Sequence, residues 1–600
     1  MCGIIGYLGD SEALPILTTG LQNLEYRGYD SAGVALGGDD LTVYRRAGEV
    51  EALSSILPAS APQTRGIGHT RWSTHGPPTD ENAHPHTDES GRVAVVHNGI
   101  IENYEELREQ LSDCTFTSDT DTEVIPHLIA AELDAGASPK AAVQQAASQL
   151  AGSYAIVVTI ASVDSLFAIR EDSPLVVGHG TDGTFLGSDV TAFLDHTQRV
   201  TYLDDGDLAV IDHDGLSLYR GDQLVDFEVE ELEWEADAAE KGGYDHYMRK
   251  EIHEQPRALR QTISGRVDTE QGHATLDIEL PTEYLDSLEE IQLVACGTSY
   301  YAATYAAELF ESLADVRTTV EVASEYEFST SRDPWRTLVI AVTQSGETAD
   351  TLSAIRTASR AGARTLGVTN TLGSTITREV DDTVFIRAGP EIGVAATKTF
   401  ASQVATLALL VVLIGRKRGS LSTDRAISVL ESIRGLPGAV QQVLDREAVV
   451  QETAETYADS DAFFFIGRRL GHAVSLEGAL KLKEISYDHA EGFPAGELKH
   501  GPLALVTEET PILAVLTDGA RPEATLPNVR EVQARDAPVI GAVGDVATSA
   551  LDVRFPVPDL GVMEPLVTNV YWQLFAYHVA NLKGRSIDKP RNLAKSVTVE

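Results

Sequence analysis

Downstream of residue 280 the chain carries four short apolar runs. They are Ile291-Gln292-Leu293-Val294-Ala295, Thr337-Leu338-Val339-Ile340-Ala341-Val342, Ala462-Phe463-Phe464-Phe465-Ile466-Gly467 and Pro511-Ile512-Leu513-Ala514-Val515-Leu516. Runs of this length without polar alternation predict strands buried on both faces, and their alternation with helices predicts a parallel α/β sheet. The second pair repeats the scheme of the first, an internal duplication of pattern without obvious sequence identity. Upstream, residues 222–240 hold nine acids and no base, which marks an edge or linker rather than a core. Residues Lys241 to Ile252 then read as a helix entering the second unit. At the far end, the alternation in Ala594-Lys595-Ser596-Val597-Thr598-Val599 predicts a docked tail, although chain ends usually fray. The expected segments are 1–221, an acidic linker 222–243, 244–430 with a core of about 283–422, 431–583 with a core of about 453–583, and a tail 584–600.

Composition narrows the class. A chain of 600 residues is expected to hold three or four domains with large cores. Three cysteines, Cys2, Cys114 and Cys296, imply no disulfide framework. Neither a basic-plus-apolar start nor an apolar run of 18 or more is seen, so a signal peptide and a membrane span are not expected, and a cytoplasmic location is. The net charge is −45, and only 11 of the 46 basic residues are lysine. Such a surface argues against nucleic acid and anionic membranes, both of which want cations. It resembles proteins of salt-accumulating halophiles, in which concentrated counter-ions screen self-repulsion.

Cys2 directly follows Met1. Removal of Met1 would leave a thiol and a free α-amine on one residue, with reference pKa values of about 8.5 and about 7.7–8.0, so the amine is able to take the thiol proton. Alone, Met-Cys is equally a small apolar residue opening a strand. Four further motifs follow in order: Glu25-Tyr26-Arg27-Gly28-Tyr29-Asp30-Ser31, His69-Thr70-Arg71-Trp72-Ser73-Thr74-His75-Gly76, His97-Asn98-Gly99-Ile100-Ile101-Glu102-Asn103 and Ser118-Asp119-Thr120-Asp121-Thr122-Glu123. With Asn82-Ala83-His84-Pro85-His86 and the Cys-Gly-Ile start, this set resembles the class II, N-terminal-nucleophile glutamine amidotransferases over roughly the first 130 residues.

The resemblance implies Cys2 as nucleophile, with the Asn98 side chain and the Gly99 N–H as donors to the oxyanion, an arrangement that is usually the largest catalytic contribution. It gives Arg71 the glutamine carboxylate, a pairing suited to a planar guanidinium. Thr74 and His75 lie near it, Asp121 takes the α-ammonium, Arg27 organises the loop and Trp72 gates ammonia. Singly, His75 or Asp121 reads first as a surface or capping residue. His69, His75, His84, His86 and His97 match no common zinc spacing, so no metal is expected.

A strand, a short Gly/Ser/Thr turn and a helix also present amides and hydroxyls to a phosphate. One such turn is no more than a helix N-cap. Two in one sheet, Cys296-Gly297-Thr298-Ser299 and Thr343-Gln344-Ser345-Gly346-Glu347-Thr348, resemble the sugar-isomerase (SIS) domain. No G-x-G-x-x-G with a suitably spaced acid supports a dinucleotide fold.

Across its length the chain resembles the isomerising glutamine–fructose-6-phosphate aminotransferases. Further matching segments run from Glu391 to Lys398, Leu476 to Ile485, Gly496 to Leu503 and Pro590 to Glu600. The implied fold is a multi-domain α/β chain, an αββα N-terminal-nucleophile glutaminase sandwich followed by two SIS-type parallel-sheet domains. The implied reaction converts L-glutamine and D-fructose 6-phosphate to D-glucosamine 6-phosphate and L-glutamate, the first step of hexosamine synthesis, with no cofactor and, by family precedent, in a homodimer. Glu484 would move the proton between C1 and C2 with Lys481 beside it; their i, i+3 spacing puts both on one helix face, where a surface ion pair is the plainer reading. His500 would open the sugar ring. Lys595 would form the Schiff base. Thr298, Ser299, Thr343, Gln344, Ser345 and Thr348 would hold the phosphate, and Glu391, Val394 and Ala594 would line the sugar beneath the closing tail.

Two positions depart from the family pattern. Thr343 replaces an expected serine, and Lys589 replaces an expected glutamine six residues before Lys595. Two rival readings stay open. A non-catalytic SIS sugar-phosphate sensor leaves Cys2, Arg71 and Asn98-Gly99 unexplained, and other class II amidotransferases need a phosphoribosyl or nucleotide motif that the chain lacks.

Overall fold

The computed structural model describes residues 2–25, 30–71, 76–171, 173–231, 241, 243–546, 548–549 and 551–598. Two compact units result, residues 1–240 together with 594–600, and residues 241–593.

The first unit is built on two antiparallel sheets. One has eight strands with Gly3–Gly9 and Arg65–Arg71 paired at its centre; the other has seven, with Val93–Ile101 beside Gly152–Ile160. Successive strand residues point to opposite faces, and here both faces are buried. Ile4, Leu8, Ala94, Val96, Ala155 and Val157 pack between the sheets. Ile5 and Tyr7 turn the other way, onto Leu14, Leu17 and Leu21 of the helix Ala13–Leu24. Val93, Val95, Ile156 and Val158 meet Ile125, Leu128 and Ile129 of the helix Val124–Asp134. Helix, sheet, sheet, helix is the expected αββα sandwich. The pairing of Gln223–Val225 and of Glu230–Glu231 adds an edge strand to each sheet from within the acidic stretch.

The second unit holds two five-stranded parallel sheets. One comprises Glu290–Ala295, Arg317–Val322, Thr337–Val342, Arg364–Thr369 and Asp382–Phe385; the other comprises Ala462–Gly467, His489–Pro494, Ile512–Leu516, Val539–Val543 and Val553–Pro556. In each sheet the second strand in sequence lies outside the first and the third lies on its other side, the order 2-1-3-4-5. The duplication is therefore one of topology as well as pattern. In a doubly wound sheet of this order ligands bind at the carboxyl ends of the first and third strands, where the chain direction of the connections reverses. The turns at 296–299 and 343–348 occupy that position in the first sheet.

Each sheet carries a smaller apolar cluster on one face, and the largest cluster of this unit, on the other face of each, spans both halves. The helix Lys398–Lys417 runs through it with every residue from Lys398 to Gly415 buried. Among the described residues it is the one helix long and apolar enough to cross a membrane, and its burial makes it the core helix of this unit. The helix expected over 241–252 begins instead at Tyr247 and runs to Ile263. The reason is remote in sequence: the Asp588 carboxylate accepts the N–H groups of Tyr247 and Met248 at 2.9 and 3.0 Å, satisfying two of the first-turn donors a helix leaves open.

Candidate active sites

In the first unit the site forms where three strands end. Gly3 pairs with Thr70, which sets Cys2 beside the Arg71 end of the neighbouring strand. A side chain on Gly3 would meet Thr70 Oγ1 at 2.6 Å, so this close approach of backbones requires glycine. Across the sandwich, Asn98 Nδ2 donates to the Cys2 carbonyl at 3.0 Å. Gly99 has φ +125°, and a Cβ there would stand 1.9 Å from the Ser153 carbonyl oxygen. Only glycine turns this stretch of backbone beside Asn98.

His69 Nε2 lies 3.1 Å from Asn98 Oδ1 and 3.0 Å from the His97 carbonyl oxygen. Both partners accept, so Nε2 carries the proton and the ring is the neutral Nε2–H tautomer. Burial pushes its pKa down to about 3, reinforced by Arg71 and His97 and only partly opposed by the bond to Asn98. His84 lies tilted against His69 at 4.2 Å between centroids and meets His86 edge-on at 4.7 Å. Burial also holds both of these well below the usual range. His86 Nε2 and His97 Nδ1 bond the hydroxyls of Thr120 and Thr122 at 3.0 and 2.8 Å. His86 and His97 thus hold the 118–123 segment against the strand that carries Asn98 and Gly99. Asp121, buried, accepts the Ile101 N–H at 2.8 Å, two residues beyond Gly99. Burial draws the Arg71 guanidinium down from its usual value against the attraction of Cys2, Asp30 and Asp121. Cys2, Arg71, Asn98, Gly99 and Asp121 therefore belong to one region of the first unit. Arg27, Trp72, Thr74 and His75 lie outside the described residues.

In the second unit the helix Gly297–Leu309 opens directly after the first strand and the helix Ala349–Ala361 after the third. Gly346 has φ +72°, and the Thr343 hydroxyl accepts its N–H at 3.2 Å. The extra methyl of Thr343 leaves that oxygen in use. The Ser345 hydroxyl accepts the Glu347 N–H at 3.1 Å, and Gln403 Nε2 donates to Ser299 Oγ at 2.9 Å. Gln344 anchors the turn through its carbonyl, which accepts the Asn370 N–H at 3.1 Å. The hydroxyl of Thr298 reaches the other half of the unit: it accepts from Lys481 Nζ at 2.9 Å and donates to Glu477 Oε1 at 3.3 Å. Lys481 Nζ also stands 2.7 Å from Glu484 Oε2 and 3.4 Å from Glu477 Oε1. Both halves of the duplication thus contribute to one cluster.

Glu477 and Lys481 are fully buried in the helix Leu470–Ser486, while Glu484 keeps a partly open face. Burial pushes the Glu477 carboxyl up to about 8, with Glu484 adding to the rise and Lys481 opposing it. Burial alone would lower the Lys481 ammonium, but attraction to Glu477 and Glu484 more than reverses that. Glu391 accepts the Thr397 and Thr399 N–H groups at 2.9 and 3.1 Å, so its carboxylate caps the core helix Lys398–Lys417. Val394 is fixed by its N–H to the Asp588 carbonyl at 3.1 Å. His500 is exposed at the end of the short turn Ala495–His500, and among the described residues no hydrogen bond or ion pair joins it to Lys481 or Glu484. Ala594 and Lys595 fall with residues 594–600 in the first unit. Sequence reasoning passed over Glu477 and His69. The signal for Glu477 was its place four residues before Lys481 and seven before Glu484, one face of a helix.

The glutamine amidotransferase domain model matches residues 69–195, and the SIS domain model matches residues 284–413 and 456–556. Among solved structures, the C-terminal domain of glucosamine-fructose-6-phosphate aminotransferase from Francisella tularensis covers 58% of this chain and 99% of its own, at 36% identity and a TM-score of 0.55. Curated relatives named glutamine–fructose-6-phosphate aminotransferase (isomerizing) are 61% identical in Halobacterium salinarum, 48% in Symbiobacterium thermophilum and 46% in Methanosarcina mazei, each over 100% of both chains. With its two domain types and full-length matches of this strength, the chain belongs to the family of isomerising glutamine–fructose-6-phosphate aminotransferases.

Proposed function

We infer that this chain transfers the amide nitrogen of L-glutamine to D-fructose 6-phosphate, giving D-glucosamine 6-phosphate and L-glutamate. The observation that carries the reading is the joint presence, in a chain with full-length relatives of that name, of Cys2 held against Asn98 and of the Thr298–Lys481–Glu484 cluster at the sheet's switch point. In the first unit the Cys2 thiol, deprotonated by its own amine, attacks the glutamine amide carbon. Asn98 Nδ2 and the Gly99 N–H receive the oxyanion, ammonia leaves, and water hydrolyses the thioester. Arg71 takes the glutamine carboxylate and Asp121 its ammonium, with Thr74, His75 and Arg27 in support. Trp72 gates ammonia, which must be kept from water.

In the second reaction Ser299, Thr343, Gln344, Ser345 and Thr348 hold the phosphate, and Val394, Ala594 and the Glu391 loop border the sugar. His500 opens the ring, Lys595 condenses with the C2 carbonyl with loss of water, ammonia displaces the Lys595 amine to leave the imine at C2, and Glu484, beside Lys481, moves a proton from C1 to C2 to give the aldose. The reading includes a cytoplasmic homodimer without nucleic-acid or membrane partners; it rests on the family resemblance and on the net charge of −45. Mixing the chain with glutamine and fructose 6-phosphate, without metal or nucleotide, tests it. Equimolar glucosamine 6-phosphate and glutamate are expected, and glutamate alone would contradict it.

A further inference from the structure

Glu477 is the buried group that the two reactions above leave without a task. Its side chain is fully enclosed, with Oε1 shared between Thr298 at 3.3 Å and Lys481 at 3.4 Å, and Oε2 has no hydrogen-bond partner among the described residues. We propose that Glu477 is a positioning residue for the isomerisation site, a buried carboxyl group that holds the Thr298 hydroxyl and keeps Lys481 committed to Glu484. The proposal rests on the reading of Glu484 as the residue that moves the sugar proton.

Three ionisable groups share a confined space here. Lys481 presents one ammonium to two carboxyl groups on its own helix, at 2.7 Å to Glu484 and 3.4 Å to Glu477. With Glu477 neutral, the Lys481 ammonium has no competing charge on its helix and stays with the nearer Glu484. Ionised Glu477 would add a second negative charge in a buried site, where an uncompensated charge is costly. It would draw Lys481 off Glu484 and compete for the Thr298 hydroxyl that ends the first strand's turn. Burial favours the neutral form, which persists up to about pH 8. The other groups facing the cluster are Tyr301 from the helix Gly297–Leu309, whose phenol burial pushes up, and Glu391, which acts on Lys481 from the loop before the core helix. Raised values at Tyr301 and Lys481 leave Glu477 as the member of the cluster that changes charge near pH 8.

The test reads isomerisation of fructose 6-phosphate to glucose 6-phosphate without glutamine, which leaves the Cys2 amine out of the pH profile. The wild-type chain is expected to lose kcat above about pH 8, roughly tenfold per unit. Glu477→Gln, permanently neutral and of the same volume, is expected to keep kcat within about threefold at pH 7 and to move the alkaline limb up by at least one unit. Glu477→Ala, which removes the Oε1 contacts that hold Thr298 and Lys481 in place, is expected to lower kcat at least tenfold at every pH, with KM for fructose 6-phosphate within about twofold. A Gln variant as impaired as the Ala variant at pH 7, or one that keeps the wild-type limb, overturns the proposal. Wild-type kcat in the Ala variant does so as well. A wild-type chain that makes neither glucose 6-phosphate nor glucosamine 6-phosphate would instead overturn the reading on which the proposal rests.

Discussion

His69 Nε2 stands 3.1 Å from Asn98 Oδ1, and that contact decides which way the Asn98 amide faces. With its oxygen bound to the imidazole N–H, the amide must present Nδ2 on the side of Cys2, where it now meets the Cys2 carbonyl at 3.0 Å. A donor aimed before the reaction begins loses nothing to reorganisation in the transition state.

Replacing Asn98 by Ala is expected to lower glutamine hydrolysis by roughly 10²–10³, the usual effect of removing one oxyanion donor. His69→Ala, which frees the amide to turn, is expected to lower kcat by roughly tenfold to a hundredfold while KM stays near its wild-type value. Glutamate release measures both. A His69→Ala variant with wild-type kcat would show that the amide is oriented by something else.

Acid is expected to unfold the first unit through its buried histidines. His69 has an ordinary value of 6.5 and a folded value of about 3, so between these the unfolded chain binds a proton that the folded chain refuses. Its contribution is complete above pH 6.5 and is lost as the pH falls toward 3, at about 1.4 kcal/mol per pH unit. His84 and His86 act in the same direction. Thermal melts at fixed high salt from pH 7 to 4 are expected to show the glutaminase transition moving down with falling pH. A His69→Gln variant with the same pH slope would contradict the assignment to His69.

Salt is expected to govern the whole chain. At a net charge of −45 the carboxylates repel one another, and screening shortens their reach from about 10 Å at 0.1 M salt to about 3 Å at 1 M. Melting temperature and activity are expected to rise together up to molar potassium chloride. An unchanged melting temperature after dialysis into dilute buffer would contradict this.

Two lysines near the carboxyl end, Lys589 and Lys595, are candidates for the Schiff base of the proposed reaction. Lys595 sits in Asn592-Leu593-Ala594-Lys595-Ser596, whereas Lys589 lies in the segment whose carbonyl accepts the Ser586 hydroxyl at 2.7 Å. Borohydride reduction with fructose 6-phosphate is expected to mark Lys595. Lys595→Arg is expected to abolish the adduct and synthesis while glutamine hydrolysis persists, and Lys589→Gln to leave both intact. A sugar-modified peptide containing Lys589 would reverse the choice.

Much of this architecture was legible in the residues. Strands such as Ile291–Ala295 and Ala462–Gly467 announce themselves because both faces are buried and no polar position interrupts the apolar pattern for long. The glycines beside Cys2 and Asn98 belong to motifs that name their own chemistry. What stayed hidden depends on partners remote in the chain. The first helix of the second unit starts at Tyr247 because Asp588 caps it, some 340 residues away, and no local pattern carries that information. Glu477 looks like one more charge on a helix until Thr298, from the other half of the duplication, is seen to close over it. His69 likewise reads as one of five clustered histidines until its ring is found on Asn98.

The measurement that bears most directly on the account is product analysis of Cys2→Ala in molar salt, with glutamine and fructose 6-phosphate both present. No glutamate and no glutamine-derived glucosamine 6-phosphate are expected, alongside glucose 6-phosphate formed at the rate seen in the wild-type chain without glutamine. Glucosamine 6-phosphate made from glutamine at the wild-type rate would contradict this, because nitrogen would then be reaching the sugar without the proposed nucleophile.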